Sequence, residues 1–211
     1  MGRKYTFTEL KEIAEKSVKS YPKEDFLASL SPDEVAKINQ RLLEIAPNER
    51  VFELLWNARE YIYDAVRAVK AKVGRPFNGI EAEGDELDLR IILPKDITRG
   101  GSALSSWSGS VTAGEATFAD EVTLNEDEAY VFVGVANGSV SEAVGYVLST
   151  KPLYVRLPWD LADPDFKLIA HKPVKINPKE TFSIKVWYSA DGTDATALVG
   201  VKVSKAKNFA P

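Results

Sequence analysis

The 211-residue chain has no cysteine, one histidine (His171), one methionine and one glutamine (Gln40). Without cysteine there is no disulfide, no thiolate nucleophile, no zinc finger and no iron–sulfur cluster. One histidine excludes a multi-histidine metal site. His171 itself sits at the end of an alternating run and reads as a hydrogen-bonded strand residue. No stretch approaches 18 consecutive apolar residues, so no membrane-spanning helix is expected. There is no excess of positive charge: 27 Lys and Arg face 31 Asp and Glu, a net charge of −4. Phosphate neutralisation needs a basic excess, so no nucleic-acid partner is expected.

The first residues, Met1-Gly2-Arg3-Lys4-Tyr5, lead into no apolar segment of the secretory type. Met1-Gly2 with Thr6 fits a myristoylation pattern only loosely. The expectation is cytoplasmic synthesis, with incorporation into a virion or other particle. Scarce Gln, Met and Cys beside abundant Glu and Lys is the composition of a hyperthermophile protein.

What is present falls into two unlike parts. Residues 1–76 read as helical. Thr6-x-x-Glu9 forms a capping box before Leu10, Ile13, Ala14 and Val18, and Tyr21-Pro22 ends that helix. A short turn of helix is expected around Asp25–Leu30. Ser31-Pro32-Asp33-Glu34 is the strongest start signal in the chain: a capping hydroxyl, a proline with helical φ, and a glutamate able to reach back. Pro47 ends that segment. Asn48 then caps a helix predicted to run unbroken for about 25 residues to Val73, where Gly74 and Pro76 stop it. Val51, Leu55, Ile62 and Val69 lie on its three-and-four seam. Phe52, Leu54, Trp56, Tyr61 and Tyr63 add apolar surface on other faces. A helix apolar on several sides must be covered on several sides. Intrachain packing is one cover. A second subunit seated on Val51, Leu55, Ile62 and Val69 is the other.

Residues 77–86 read as an acidic linker. Glu81, Glu83, Asp85, Glu86 and Asp88 could hold a divalent cation, but their spacing matches no EF-hand loop, and a solvated linker explains them. From Leu87 the period drops from 3.6 to 2. Alternating runs at Leu87–Ile91, Glu115–Leu124, Glu128–Ala136, Val140–Leu148, Leu153–Leu157, Phe166–Ala170, Thr181–Ser189 and Ala195–Val203 predict about eight strands over residues 87–211. Asn137-Gly138 and Asp191-Gly192 carry the type I′ hairpin signal. The Asn137-Gly138-Ser139 sequon is read as that turn. Pro152, Pro158, Pro173 and Pro178 are placed between strands. No useful helix interrupts these runs. The fold class expected is therefore α+β by segregation: a helical region, then an antiparallel β-sandwich of jelly-roll type. By count residues 1–76 carry +2 and the remainder −6.

Three further features are candidates for function. Trp159-Asp160-Leu161-Ala162-Asp163-Pro164-Asp165 puts Asp160, Asp163 and Asp165 beside an aromatic on a loop, a pattern that could bind calcium next to a sugar. An Asp-rich turn explains it equally. Gly100–Ser110 is rich in Gly and Ser around Trp107, which could anchor a partner or fold back on its own domain. Phe209, beyond the last strand, could insert into a neighbour. No catalytic constellation is evident; Ser110 and its neighbours form no G-x-S-x-G elbow.

These features predict a non-enzymatic structural protein that self-assembles or joins a larger assembly: a virion coat, decoration or appendage component. Its partner-binding residues would be Trp107, Val51, Leu55, Ile62, Val69 and Phe209. The alternative is a binding module that recognises a glycan or peptide through rim loops, with calcium assistance from the aspartates. A glycoside hydrolase, which needs a facing carboxylate pair, ranks third.

Overall fold

The computed structural model describes residues 30–137, 143–150, 153–158 and 168–209. The helix expected after Thr6, the turn around Asp25 and the 159–165 loop lie outside the described residues.

Three helices lead. Helix α1 (Pro32–Ile45) starts at the predicted capping box. The Glu34 backbone N–H donates to Ser31 Oγ, and the Ser31 N–H donates to the Glu34 carboxylate at 2.8 Å. The segment from Asn48 is two helices, not one. Helix α2 (Glu49–Asn57) and helix α3 (Arg59–Val73) meet at Ala58, whose ψ of 2° leaves the helical range. The break has a packing reason. Phe52 and Trp56 join Leu43 and Ala46 in a small separate cluster, whereas Leu55, Ile62 and Val69 belong to the main core. Two apolar faces with different targets are served by a bend. Gly74, at φ 64°, ends α3 with the left-handed stop its sequence predicts.

Eleven antiparallel strands follow: β1 (Leu87–Ile91), β2 (Thr98–Arg99), β3 (Ser102–Ala103), β4 (Ser108–Val111), β5 (Gly114–Thr123), β6 (Ala129–Asn137), β7 (Ala143–Thr150), β8 (Leu153–Pro158), β9 (Leu168–Ile176), β10 (Thr181–Tyr188) and β11 (Gly192–Lys205). The eight longest correspond to the eight predicted runs. One sheet has the order β1-β11-β6-β9, with β4 paired to the start of β11; the other is β5-β10-β7-β8. The short β2–β3 ribbon turns through Gly100 and Gly101, both at positive φ as a type I′ turn requires.

Alternation along the strands explains the layering. Tyr130 and Phe132 of β6 point between the sheets and join Phe118, Tyr146, Phe182, Ile184 and Val186. Val131 and Val133, one step out of phase, point the other way with Val199, Val201 and Val203 of β11, and the helices cover them. The first sheet is thus buried on both faces and the second on one. Helices, first sheet and second sheet make three layers in an α+β, sandwich-like fold.

The two hairpin signals mislead. Strands β6 and β7, which flank Asn137-Gly138, lie in different sheets; so do β10 and β11, which flank Asp191-Gly192. A turn dipeptide reverses the chain but does not dictate which sheet receives the next strand. Pro173 lies inside β9, not between strands. That is tolerated because β9 is an edge strand, and its pairing with β6 shifts register beside this position.

Residues 77–86 are tied down. Phe77 is buried and bridges to Leu87, and the Asn78 N–H donates to the Leu87 carbonyl at 2.9 Å. Carboxylates of the acidic run meet partners: Glu81 pairs with Lys37, Asp85 with Lys207, and Glu86 accepts from Asn78. Asp88 accepts from Arg41 of α1 at 2.9 and 3.0 Å, a two-point clamp between helix and sheet. Among the described residues no cluster of His, Cys, Asp or Glu could hold a metal ion, and no helix is long and apolar enough to cross a membrane.

Candidate functional site

The helices cover only the first sheet. The outer face of the second carries a groove of about 690 Å³ whose lining includes Glu115, Glu121, Ser149, Ser183, Lys185 and Trp187. The local sequence explains it. In β10 the buried residues are Phe182, Ile184, Val186 and Tyr188; the residues between them, Thr181, Ser183, Lys185 and Trp187, take the other face. Strand β7 contributes Val147 and Ser149, and β5 contributes Glu115 and Glu121. Along the groove Thr123 and Thr181 share a hydroxyl hydrogen bond of 2.8 Å, and Lys185 pairs with Glu115 at 2.5 Å. The indole N–H of Trp187, the hydroxyls of Ser149 and Ser183 and the carboxylate of Glu121 have no partner among the described residues. Trp187 lies opposite Gly145 of β7, so no side chain rises beside the indole from that position.

Elsewhere the buried carboxylates are paired within the chain, although Arg90 Nε is buried without a hydrogen-bond partner among the described residues. Arg90 donates to both oxygens of Asp96 at 2.7 Å, and Lys202 lies 3.4 Å from Asp96 and 2.7 Å from Glu128. The Leu93 N–H adds a third donor to Asp96. Each carboxylate here meets a cation of the same chain, so the cluster clasps β1 to β11. Asp194, buried at the end of the sandwich, accepts from the Tyr188 hydroxyl at 2.8 Å and the Thr196 hydroxyl at 2.6 Å. Burial, reinforced by the Asp194 carboxylate, raises the Tyr188 pKa. Burial also raises Asp88, against the pull of Arg41. At Glu34 burial acts upward too, but Lys70 and the N–H groups of Ser31 and Phe77 outweigh it and hold the carboxyl below its ordinary value.

The groove does not suit a two-carboxylate hydrolase. Glu115 lies opposite Trp187 and Glu121 falls beside Ser183, four residues or about 13 Å along β10. Glycosidase pairs stand roughly 5–9.5 Å apart.

The predicted partner-binding residues are placed as follows. Leu55, Ile62 and Val69 are fully buried within the chain, and the half-buried Val51 packs at the margin of the same core. The protein's own sheet covers the seam once offered to a neighbour, so these three side chains have no surface left for one. Trp107 folds back and stacks on Phe118 at 6.3 Å. Phe209 is half-buried under the Arg90 guanidinium, 4.9 Å from its ring centroid. Asp160, Asp163 and Asp165 lie outside the described residues. Trp187 was not among the candidates. Its signal was present in the sequence: an indole on the polar phase of an otherwise clean alternation.

No protein-family model matches this sequence, and no curated relative does either. Among solved structures, a ruminal GH26 endo-β-1,4-mannanase overlaps 55% of this chain and 25% of its own at 14% identity, with a TM-score of 0.28. Dimeric latent PorU from Porphyromonas gingivalis overlaps 60% and 13% at 14% identity and a TM-score of 0.26. A cycloisomaltooligosaccharide glucanotransferase from Paenibacillus sp. overlaps 67% and 22% at 14% identity and a TM-score of 0.24. This chain thus spans a quarter or less of each of these proteins. Similarity at that level carries no inference about fold or activity.

Proposed function

We propose that the protein is a non-enzymatic structural component, built on a jelly roll, that self-assembles or joins a larger particle such as a virion coat or appendage. The strand order carries this reading. Counting only the eight long strands in chain order, one sheet runs first-eighth-third-sixth and the other second-seventh-fourth-fifth. That alternation between sheets supports a double Greek key of the jelly-roll type, an architecture used in viral capsids and in lectins. The helical layer supports a structural role as well, because it covers most of one sheet and leaves contacts to the sheet edges and the opposite face. Ile80, 61% exposed, and Val144, 48% exposed, offer apolar surface to a neighbour. Light scattering after size exclusion at micromolar protein, with negative-stain imaging of the same sample, tests the proposal. Multimers or particles support it. A monomer that stays monomeric as concentration rises overturns it.

A further inference from the structure

We propose that the groove on the outer face of the second sheet binds a neutral oligosaccharide, with Trp187 as the platform on which a sugar ring stacks. This goes beyond the assembly role and holds for a monomer or a particle alike.

Three observations converge. The first is the pattern of satisfied and unsatisfied groups. The carboxylates of the clasp at Arg90, Asp96, Glu128 and Lys202 and of the Asp194 cluster all meet donors of the same chain, although Arg90 Nε has no acceptor among the described residues. The groove instead presents an indole N–H, two serine hydroxyls and one carboxylate with no partner among the described residues, all on one concave surface. Binding sites of small ligands have this makeup: a cleft with an aromatic wall and a few convergent polar groups. The second is the setting of Trp187. It is half-buried, so its position is fixed, and Gly145 opposite leaves one flank open. A pyranose offers an apolar C–H face to an aromatic ring and hydroxyls at its edge. An indole bordered by Ser183, Ser149 and Glu121 answers both. The third is charge. Glu115 and Lys185 neutralise each other, which leaves Glu121 as the groove's one unpaired charge among the described residues. A polyanion is repelled by that carboxylate, whereas a neutral sugar can donate hydroxyls to it. The row from Thr181 to Trp187 extends about 20 Å, room for a chain of several sugars.

The test is calorimetric titration of the full-length protein with cellohexaose, xylohexaose, maltohexaose and chitohexaose. At least one should bind saturably. Trp187→Ala should weaken that binding roughly tenfold or more, as loss of an aromatic anchor does. Glu121→Gln and Ser183→Ala should each weaken it less, with the melting temperature unchanged; they keep the test decisive should Trp187→Ala fail to fold. Trp107→Ala, outside the groove, should bind as the parent does. Failure of all four sugars to bind overturns the proposal. So does binding that survives both Trp187→Ala and Glu121→Gln, or binding that Trp107→Ala abolishes. None of these outcomes depends on whether the protein assembles, so the two proposals fail separately.

Discussion

Gly200 of β11 lies so close to β6 that a Cβ placed on it would stand 2.2 Å from the Val131 carbonyl oxygen and 3.0 Å from the Phe132 Cα. The two strands shift register here, between Val199 and Gly200. The two nearest atoms are backbone and cannot yield as the Ile92 Cδ1 at 3.1 Å can.

Gly200→Ala should therefore cost about 3 kcal/mol or more, at the upper end of overpacking effects. Gly109, in strand β4, has no atom within 4 Å of its virtual Cβ. Gly109→Ala should shift stability by no more than about 0.5 kcal/mol. Chemical denaturation of both variants checks the contrast.

Leu55→Ala and Ile62→Ala should each lose about 2–5 kcal/mol, because each empties a fully buried site between helix and sheet. Their oligomeric state should match the parent's in light scattering. A change of assembly without loss of stability would return these side chains to an intersubunit role.

Acid should unmask Glu34. Its carboxyl titrates below the ordinary value of 4.5 when folded. It therefore contributes stability that is complete above the unfolded pKa and is lost as pH falls through the folded one. Asp88 runs the other way. Its folded pKa is raised above 3.8, so its ionisation costs the native state something as pH rises, and protonation relieves that cost in acid. Denaturant melts between pH 6 and pH 3 should show a shallower acid decline for Glu34→Gln than for the parent, and a steeper one for Asp88→Asn.

Base should act through three tyrosines. Burial raises Tyr130, Tyr146 and Tyr188 well above the ordinary value of 10.0. Unfolded tyrosine releases its proton near pH 10 while these three keep theirs, so stability falls as pH climbs beyond that point. A spectrophotometric titration should show at least three tyrosines ionising only with the unfolding transition. Tyr188→Phe should lower the stability below pH 10 because it leaves the buried Asp194 one donor short.

The legible parts of the fold were those encoded locally. Ser31 to Glu34, Asn48 and Gly74 each mark a helix end by their own chemistry, and each does so in the structure. Period-two runs located all eight long strands. What the sequence hides depends on a distant partner. Nothing near Ala58 announces a break, since the bend answers to two cores formed elsewhere. Asn137-Gly138 and Asp191-Gly192 specify reversal without specifying destination. Leu55 and Ile62 look the same whether a sheet 70 to 150 residues downstream covers them or a second molecule does. The groove was half-visible: the alternating run Thr181–Ser189 sets Ser183, Lys185 and Trp187 on one strand face, but the hollow they line needs β5 and β7 alongside.

Strand β11 is the spine of the first sheet, flanked by β1 and β4 on one side and β6 on the other, and it is the last strand made. A nascent chain that has emerged only as far as Tyr188 already holds β1, β6 and β9, part of the surface on which the helices rest, but not the β11 residues that complete it. At cellular synthesis rates of 5–20 residues per second, Leu55 and Ile62 wait on the order of ten seconds for Val199, Val201 and Val203 to arrive. Until then the core that Leu55 and Ile62 share with Leu87, Leu89, Val131 and Val133 lacks its β11 members.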